Sequence, residues 1–145
     1  MDKKKVALID TNFSSLPIYE YLLQLKYKIF VLGNNPNDYL AKFSNNYVNI
    51  DYSDTNLLYK FLIKNKVNFI VPGCNDVSYS SCSLVNSEGQ FSGIENKITT
   101  DAINRKNKFK DFCHQNNIPT PKKITSSQLK KNLPVLLKPI NAFSG

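Results

Sequence analysis

The sequence predicts an α/β fold: an open parallel sheet with helices on both faces, followed by an incomplete C-terminal extension. Three observations carry the prediction. Short apolar runs rich in β-formers alternate with amphipathic segments of helix length, the pattern of successive βαβ units. Two of these runs, Val6-Ala7-Leu8-Ile9 and Ile29-Phe30-Val31-Leu32, are apolar throughout, which suits strands covered on both faces. Beyond residue 95 the pattern changes to lysine-rich helical stretches and one last apolar run that leads into small residues.

Taken in order, residues 6–9 form the first strand, and Asp10-Thr11-Asn12-Phe13-Ser14-Ser15 follows as a polar turn. Ser15 is placed to cap the next helix, and Pro17 suits its first turn, where a missing N–H costs nothing. Ile18, Leu22 and Leu25 then make the buried stripe. Residues 29–32 form the second strand, closed by Gly33-Asn34-Asn35-Pro36, and 47–50 a short third one. Asp54 can cap a helix that turns Leu57, Leu58, Phe61 and Leu62 to one face. Residues 67–71 form the fourth strand, ended by Pro72-Gly73. Helices are then expected over 77–86, 98–103 and 106–117, the last with Phe109, Phe112 and Cys113 on one side. Ile118-Pro119-Thr120-Pro121 stops it, because proline cannot continue a helix and restrains the residue before it. A final strand is expected over 133–140.

Length and composition bound the function. The 145 residues fit one compact domain and a short extension. No apolar run approaches the roughly 20 residues that cross a bilayer. The charged start Met1-Asp2-Lys3-Lys4-Lys5 leads into a strand, not a signal-peptide core of about 7–15 apolar residues, so a cytoplasmic location is expected. Cys74, Cys82 and Cys113 lack the paired spacing of a zinc site, and His114 is the only histidine, so no metal ligand is assigned. The net charge of +8 is concentrated at one end. Residues 1–95 balance nine lysines against nine acids, whereas 96–145 hold ten cations against Asp101 and Asp111. A solvated lysine face is the plainest account of that excess, nucleotide phosphates the next, and nucleic acid a distant third.

An open parallel sheet binds ligands at the carboxyl ends of its strands. Those ends are Asp10-Thr11-Asn12, Gly33-Asn34-Asn35 and the run from Pro72 to Asp76. Asp10, Asn12, Asn75 and Asp76 are therefore the candidate substrate contacts, although Asn75 and Asp76 equally suit the start of the following helix. The turn after the first strand contains no glycine, so a dinucleotide pyrophosphate could not approach its backbone closely. Neither a Walker A loop nor a nucleophile elbow is present, and no catalytic residue is assigned.

The stretch from Arg105 to Pro121, with Pro134-Val135-Leu136-Leu137-Lys138-Pro139 and Ser144-Gly145, resembles the entry to the ATP-grasp fold. There a helix begins with Asp-Lys or a variant, carries an aromatic residue six positions after the lysine, and ends in Gly-Ile-Pro-x-Pro. Lys106, Phe112 and Ile118-Pro119-Thr120-Pro121 keep that register, with Arg105 for the usual Asp and Asn117 for the usual Gly. Asn117 tolerates a left-handed backbone, so it can replace glycine at a helix end. Asp51-Tyr52-Ser53-Asp54, the run from Ile70 to Asp76, and Gly93-Ile94 resemble the preceding pre-ATP-grasp domain, especially of carbamoyl-phosphate-synthase-like members.

The resemblance implies a Rossmann-like pre-ATP-grasp domain over 1–104 and the beginning of an ATP-grasp domain over 105–145, cut short. It implies ATP binding through Lys106, Lys138, Ser144 and Gly145, since a strand lysine reaches a phosphate as a point charge and a small-residue loop can offer its N–H groups. The implied parent enzyme uses ATP and Mg²⁺ to activate a small carboxylate as an acyl phosphate, which an amine or similar nucleophile attacks. The acidic groups that hold Mg²⁺ in this family lie further downstream, so the 145-residue chain alone is expected to be inactive. Pre-ATP-grasp domains also help to build dimers, which adds a homodimer to the expected partners. The competing reading is a non-catalytic α/β module for a small metabolite or for dimerisation.

Overall fold

The computed structural model describes residues 4–122 and 124–136. Four strands, β1 (Lys5–Ile9), β2 (Lys28–Gly33), β3 (Tyr47–Asn49) and β4 (Phe69–Pro72), form one parallel sheet in the order β3-β2-β1-β4. Their apolar sequences suit this arrangement because β1, in the middle, is buried on both faces. Its side chains alternate between two cores. Val6 and Leu8 join Ile29, Val31, Tyr19, Leu22 and Leu40 on one face. Ala7 and Ile9 join Leu32, Leu58, Leu62, Ile70, Cys82 and Val85 on the other. The first face is covered by α1 (Leu16–Gln24) and α2 (Tyr39–Phe43), the second by α3 (Thr55–Lys64) and α4 (Asp76–Val85).

Local rules fix most of the boundaries. Pro17 sits in the first turn of α1, and Asp54 caps α3 by accepting from the Asn56 and Leu57 amides at 3.0 and 3.1 Å. Three helices end in the same way without glycine. Lys26, Lys66 and Asn117 take left-handed φ values of 59°, 52° and 55°. In each case the next residue's amide reaches back to the helix, as Val67 does to the Leu62 carbonyl at 3.0 Å and Ile118 to that of Cys113 at 2.8 Å. These are the paired bonds of the Schellman motif. Because Val67 belongs to this turn, β4 begins at Phe69 rather than at 67.

Some expected contacts differ. Leu25 is 46% exposed, because it closes α1 in the turn led by Lys26, and Tyr19 takes its place in the core beside Leu22. Leu57 is also exposed, one position off the face of α3 that buries Leu58 and Leu62.

The chain divides into two compact units, Met1–Thr100 and Asp101–Gly145. The second contains α6 (Lys106–Gln115), reached through α5 (Lys97–Asn104), and a 3-10 helix over Ser126–Lys131. Gln128 secures the start of that 3-10 helix by accepting from the Thr125 amide at 3.0 Å. Of the stripe expected on α6, Cys113 is buried while Phe109 and Phe112 are each 45% exposed. The strand expected over 133–140 is not formed by residues 133–136, which are irregular; a strand needs a ladder partner for its backbone groups. The remainder of that stretch lies outside the described residues. Among the described residues no helix is long and apolar enough to cross a membrane.

Candidate functional site

The strand order places the topological switch point at β1. The chain moves from β1 outward through β2 to β3, then returns to the opposite side of β1 to lay down β4. The crevice at the carboxyl ends of β1 and β4 is where such sheets take their ligands. It is formed here by the turn 10–15 after β1 and the turn 72–76 after β4.

Asp10 organises that crevice from below. It is fully buried. Its Oδ1 accepts from the Thr11 amide at 2.9 Å, the Asn12 amide at 3.2 Å and Asn12 Nδ2 at 2.8 Å. Its Oδ2 accepts from Ser15 Oγ at 2.7 Å, and the same Ser15 oxygen accepts from the Cys74 amide at 3.2 Å. A buried carboxylate is tolerated only with such a set of donors. Ser15, expected as a helix cap, makes no capping bond; its hydroxyl is committed to tying the two turns together.

Glycine permits this packing. A Cβ on Gly73 would lie 2.0 Å from Asp10 Cβ, and one on Gly33 would lie 2.6 Å from the Thr11 side chain. The two strand-end glycines that flank β1 therefore make room for the side chains of its own turn. Thr11 in turn donates to Asp38 at 2.5 Å.

The other candidates are more open. The Asn12 backbone and side chain face Asp10, yet the residue is exposed. Asn75 caps α4 by accepting from the Ser78 amide at 2.8 Å, and its Nδ2 donates to the Tyr52 hydroxyl at 3.4 Å. Asp76 is exposed in the first turn of α4, a favourable place for a carboxylate. Tyr52, within the Asp51-Tyr52-Ser53-Asp54 run, stands among these groups. Burial pushes its phenol above the ordinary value, the Asn75 bond pulls it back, and the carboxylates Asp10, Asp38 and Asp51 push it further up. Hydrogen bonds from Ser53 hold Asp51 below the usual carboxylate range.

In the second unit, Lys106 is the first residue of α6 and is half-buried. Arg105 precedes it as the N-cap residue and makes no side-chain capping bond. Asp101 binds both Arg105 Nε at 3.2 Å and Lys108 Nζ at 2.8 Å. Three cations thus crowd the end of a helix that carries partial positive charge, against the usual preference for acids there. Lys138, Ser144 and Gly145 lie outside the described residues. Among the described residues no group of three or more His, Cys, Asp or Glu side chains could hold a metal ion.

The same α/β fold occurs within larger enzymes of known structure. Three solved structures illustrate it. N5-carboxyaminoimidazole ribonucleotide synthetase from Thermotoga maritima is similar over 88% of this chain, with TM-score 0.69 and 17% identity. Phosphoribosylglycinamide synthetase from Anaerococcus prevotii is similar over 95%, with TM-score 0.69 and 18% identity. L-amino acid ligase from Bacillus licheniformis is similar over 99%, with TM-score 0.70 and 15% identity. The chain spans 36%, 36% and 39% of the length of those three. At such identities the likeness is one of fold. No family model matches the sequence, and no curated protein matches it either.

Proposed function

We propose that this chain is the N-terminal part of an ATP-dependent ligase that activates a carboxylate as an acyl phosphate for attack by an amine or similar nucleophile. Residues 1–104 serve as its pre-ATP-grasp domain and 105–145 begin the ATP-grasp domain. The observation that carries the reading is the start of α6, where Arg105, Lys106 and Lys108 gather at the positive end of the helix. Lys106 keeps the spacing of the ATP-grasp entry to Phe112 and to Ile118-Pro119-Thr120-Pro121, and the fold likeness to three ligases points the same way. A nucleotide phosphate at that helix end would add a further counter-charge beside Asp101, which binds Arg105 and Lys108.

In this reading Lys106 and Lys138 contact the ATP phosphates, and Ser144-Gly145 opens the loop that covers them. Magnesium would be held by acidic groups further downstream in the native enzyme, where it would neutralise the transferring phosphoryl group. Asn12, Asn75 and Asp76 face the substrate at the switch point, and Asp10 holds their turns in place. The native enzyme is soluble and cytoplasmic in this account, and its substrates are ATP, a small carboxylate and a nucleophile.

The test uses the native enzyme that contains this sequence. Lys138→Ala should raise the KM for ATP or abolish turnover. Losing a charge-assisted phosphate contact costs on the order of 1.5–3 kcal/mol, or roughly ten- to a hundredfold. Lys106→Ala should act in the same direction. Unchanged ATP kinetics in both variants would remove the support that these lysines give.

A further inference from the structure

The short helix α2 buries Leu40 alone. Its outward positions, which ordinarily carry polar residues, hold Tyr39 and Phe43, an i,i+4 pair on one face. Phe13, from the turn after β1, joins them. Its ring meets that of Tyr39 edge-on at 5.1 Å, Tyr39 stacks on Phe43 at 5.5 Å, and Phe43 meets Tyr19 edge-on at 6.2 Å. Tyr19 belongs to the core, whereas Phe13, Tyr39 and Phe43 are 65%, 45% and 53% exposed. The row of rings is thus anchored at one end and open to water along the rest.

A single exposed apolar residue needs no account, but a contiguous patch does. The three rings leave roughly 300 Å² uncovered, the size of the largest apolar patch on an ordinary monomer. The charges beside them form a second, independent observation. Asp38, at the start of α2, is held by hydrogen bonds from Thr11 Oγ1 at 2.5 Å and Asn35 Nδ2 at 2.6 Å, both neutral donors. Lys42 stands exposed in the last turn of the same helix. Neither forms an ion pair among the described residues. Two copies of α2 laid antiparallel across a two-fold axis bring each Lys42 beside the other copy's Asp38, with the rings between them. Nucleic acid fits this face poorly, because stacked bases need a basic track for their backbone and Lys42 is the only cation of α2.

We propose that this aromatic face joins two copies of the chain in a weak, reversible dimer. The rings form the centre of the contact, and Lys42 with the other copy's Asp38 forms its rim on both sides. Rings already packed on one another lose little side-chain freedom when they are covered. A standard interface takes about 800 Å² from each partner, and the rings supply less than half of that, which sets the dimer at the weak end. The dimer goes beyond the ligase reading and does not depend on it.

The test is sedimentation velocity on the 145-residue chain at rising concentration, paired with an NMR dilution series on the isotope-labelled chain. A reversible monomer–dimer equilibrium is expected, with dilution shifts at Phe13, Tyr39, Lys42 and Phe43. Phe13→Ser and Phe43→Ser should each weaken the dimer by about tenfold. Lys42→Glu should weaken it by about fivefold, because symmetry replaces two ion pairs with two like-charge contacts, and Lys42→Arg should dimerise as the original does. The Lys42 variants alter only an exposed side chain, so they decide the matter even where a ring variant disturbs the fold. A chain that stays monomeric at NMR concentrations, dilution shifts confined to other surfaces, or a Lys42→Glu dimer as tight as the original would each overturn the proposal.

Discussion

The two units of the chain use polar residues in opposite ways. In the sheet unit the buried carboxylate of Asp10 is saturated by its own turn, and lysines and aspartates sit at the helix ends that favour them. In the second unit Arg105, Lys106 and Lys108 gather at the helix end that disfavours them, and α6 buries only Cys113. The first pattern is what stability selects. The second departs from it, with the Asp101 carboxylate offsetting two of the three cations.

The largest expected effects lie in the sheet unit. Asp10→Ala leaves buried donors without an acceptor and should cost about 3 kcal/mol or more in urea unfolding. Gly73→Ala should be comparably harmful, since the clash is with a buried side chain that has nowhere to move. A mild effect of either would show that the turn around β1 relaxes freely. Next, Leu62→Ala, at a fully buried position, should cost about 2–5 kcal/mol, whereas Phe112→Ala on α6 should cost under about 1 kcal/mol because the ring is half in solvent. Equal costs would erase the contrast between the units.

Smaller effects sharpen the account of the helix ends. Lys66→Gly should stabilise by about 0.5–1 kcal/mol, the relief of a left-handed residue less the added freedom of the unfolded chain. The smallest effect concerns Tyr79, whose hydroxyl donates to Glu95 at 2.5 Å. That bond raises the phenol to about 12 and lowers the Glu95 carboxyl. The phenol's contribution should be intact below its ordinary pKa of about 10 and vanish as pH rises through about 12. The carboxyl's contribution should be intact above the ordinary carboxylate range and fade as pH falls. Tyr79→Phe should flatten both limbs of the stability–pH curve; an unchanged curve would mean that the bond contributes nothing.

What was legible in the sequence follows from the range of the interactions. Pro17, the Asp54 cap and the left-handed Asn117 obey rules that operate within four residues, and each could be read directly. The parallel sheet was legible because both of its faces are covered, which leaves apolar runs without alternation. The role of Ser15 was not, because the Cys74 amide that it serves is 59 positions away. The same holds for Gly73, whose lack of a side chain matters only to Asp10. A glycine directly after the last residue of a strand was the one available hint of a close approach. Lys26 and Lys66 gave none, since lysine has no preference for the left-handed turns they occupy.

The ligase reading is tested most directly by the products of ATP cleavage. The native protein containing this sequence should be incubated with Mg²⁺, ATP and hydroxylamine, with and without a panel of amino acids and other small carboxylic acids. An acyl-phosphate mechanism predicts ADP, inorganic phosphate and a hydroxamate in equal amounts, formed only when an accepted acid is present. AMP with pyrophosphate, or ATP cleavage that no acid stimulates, would contradict it.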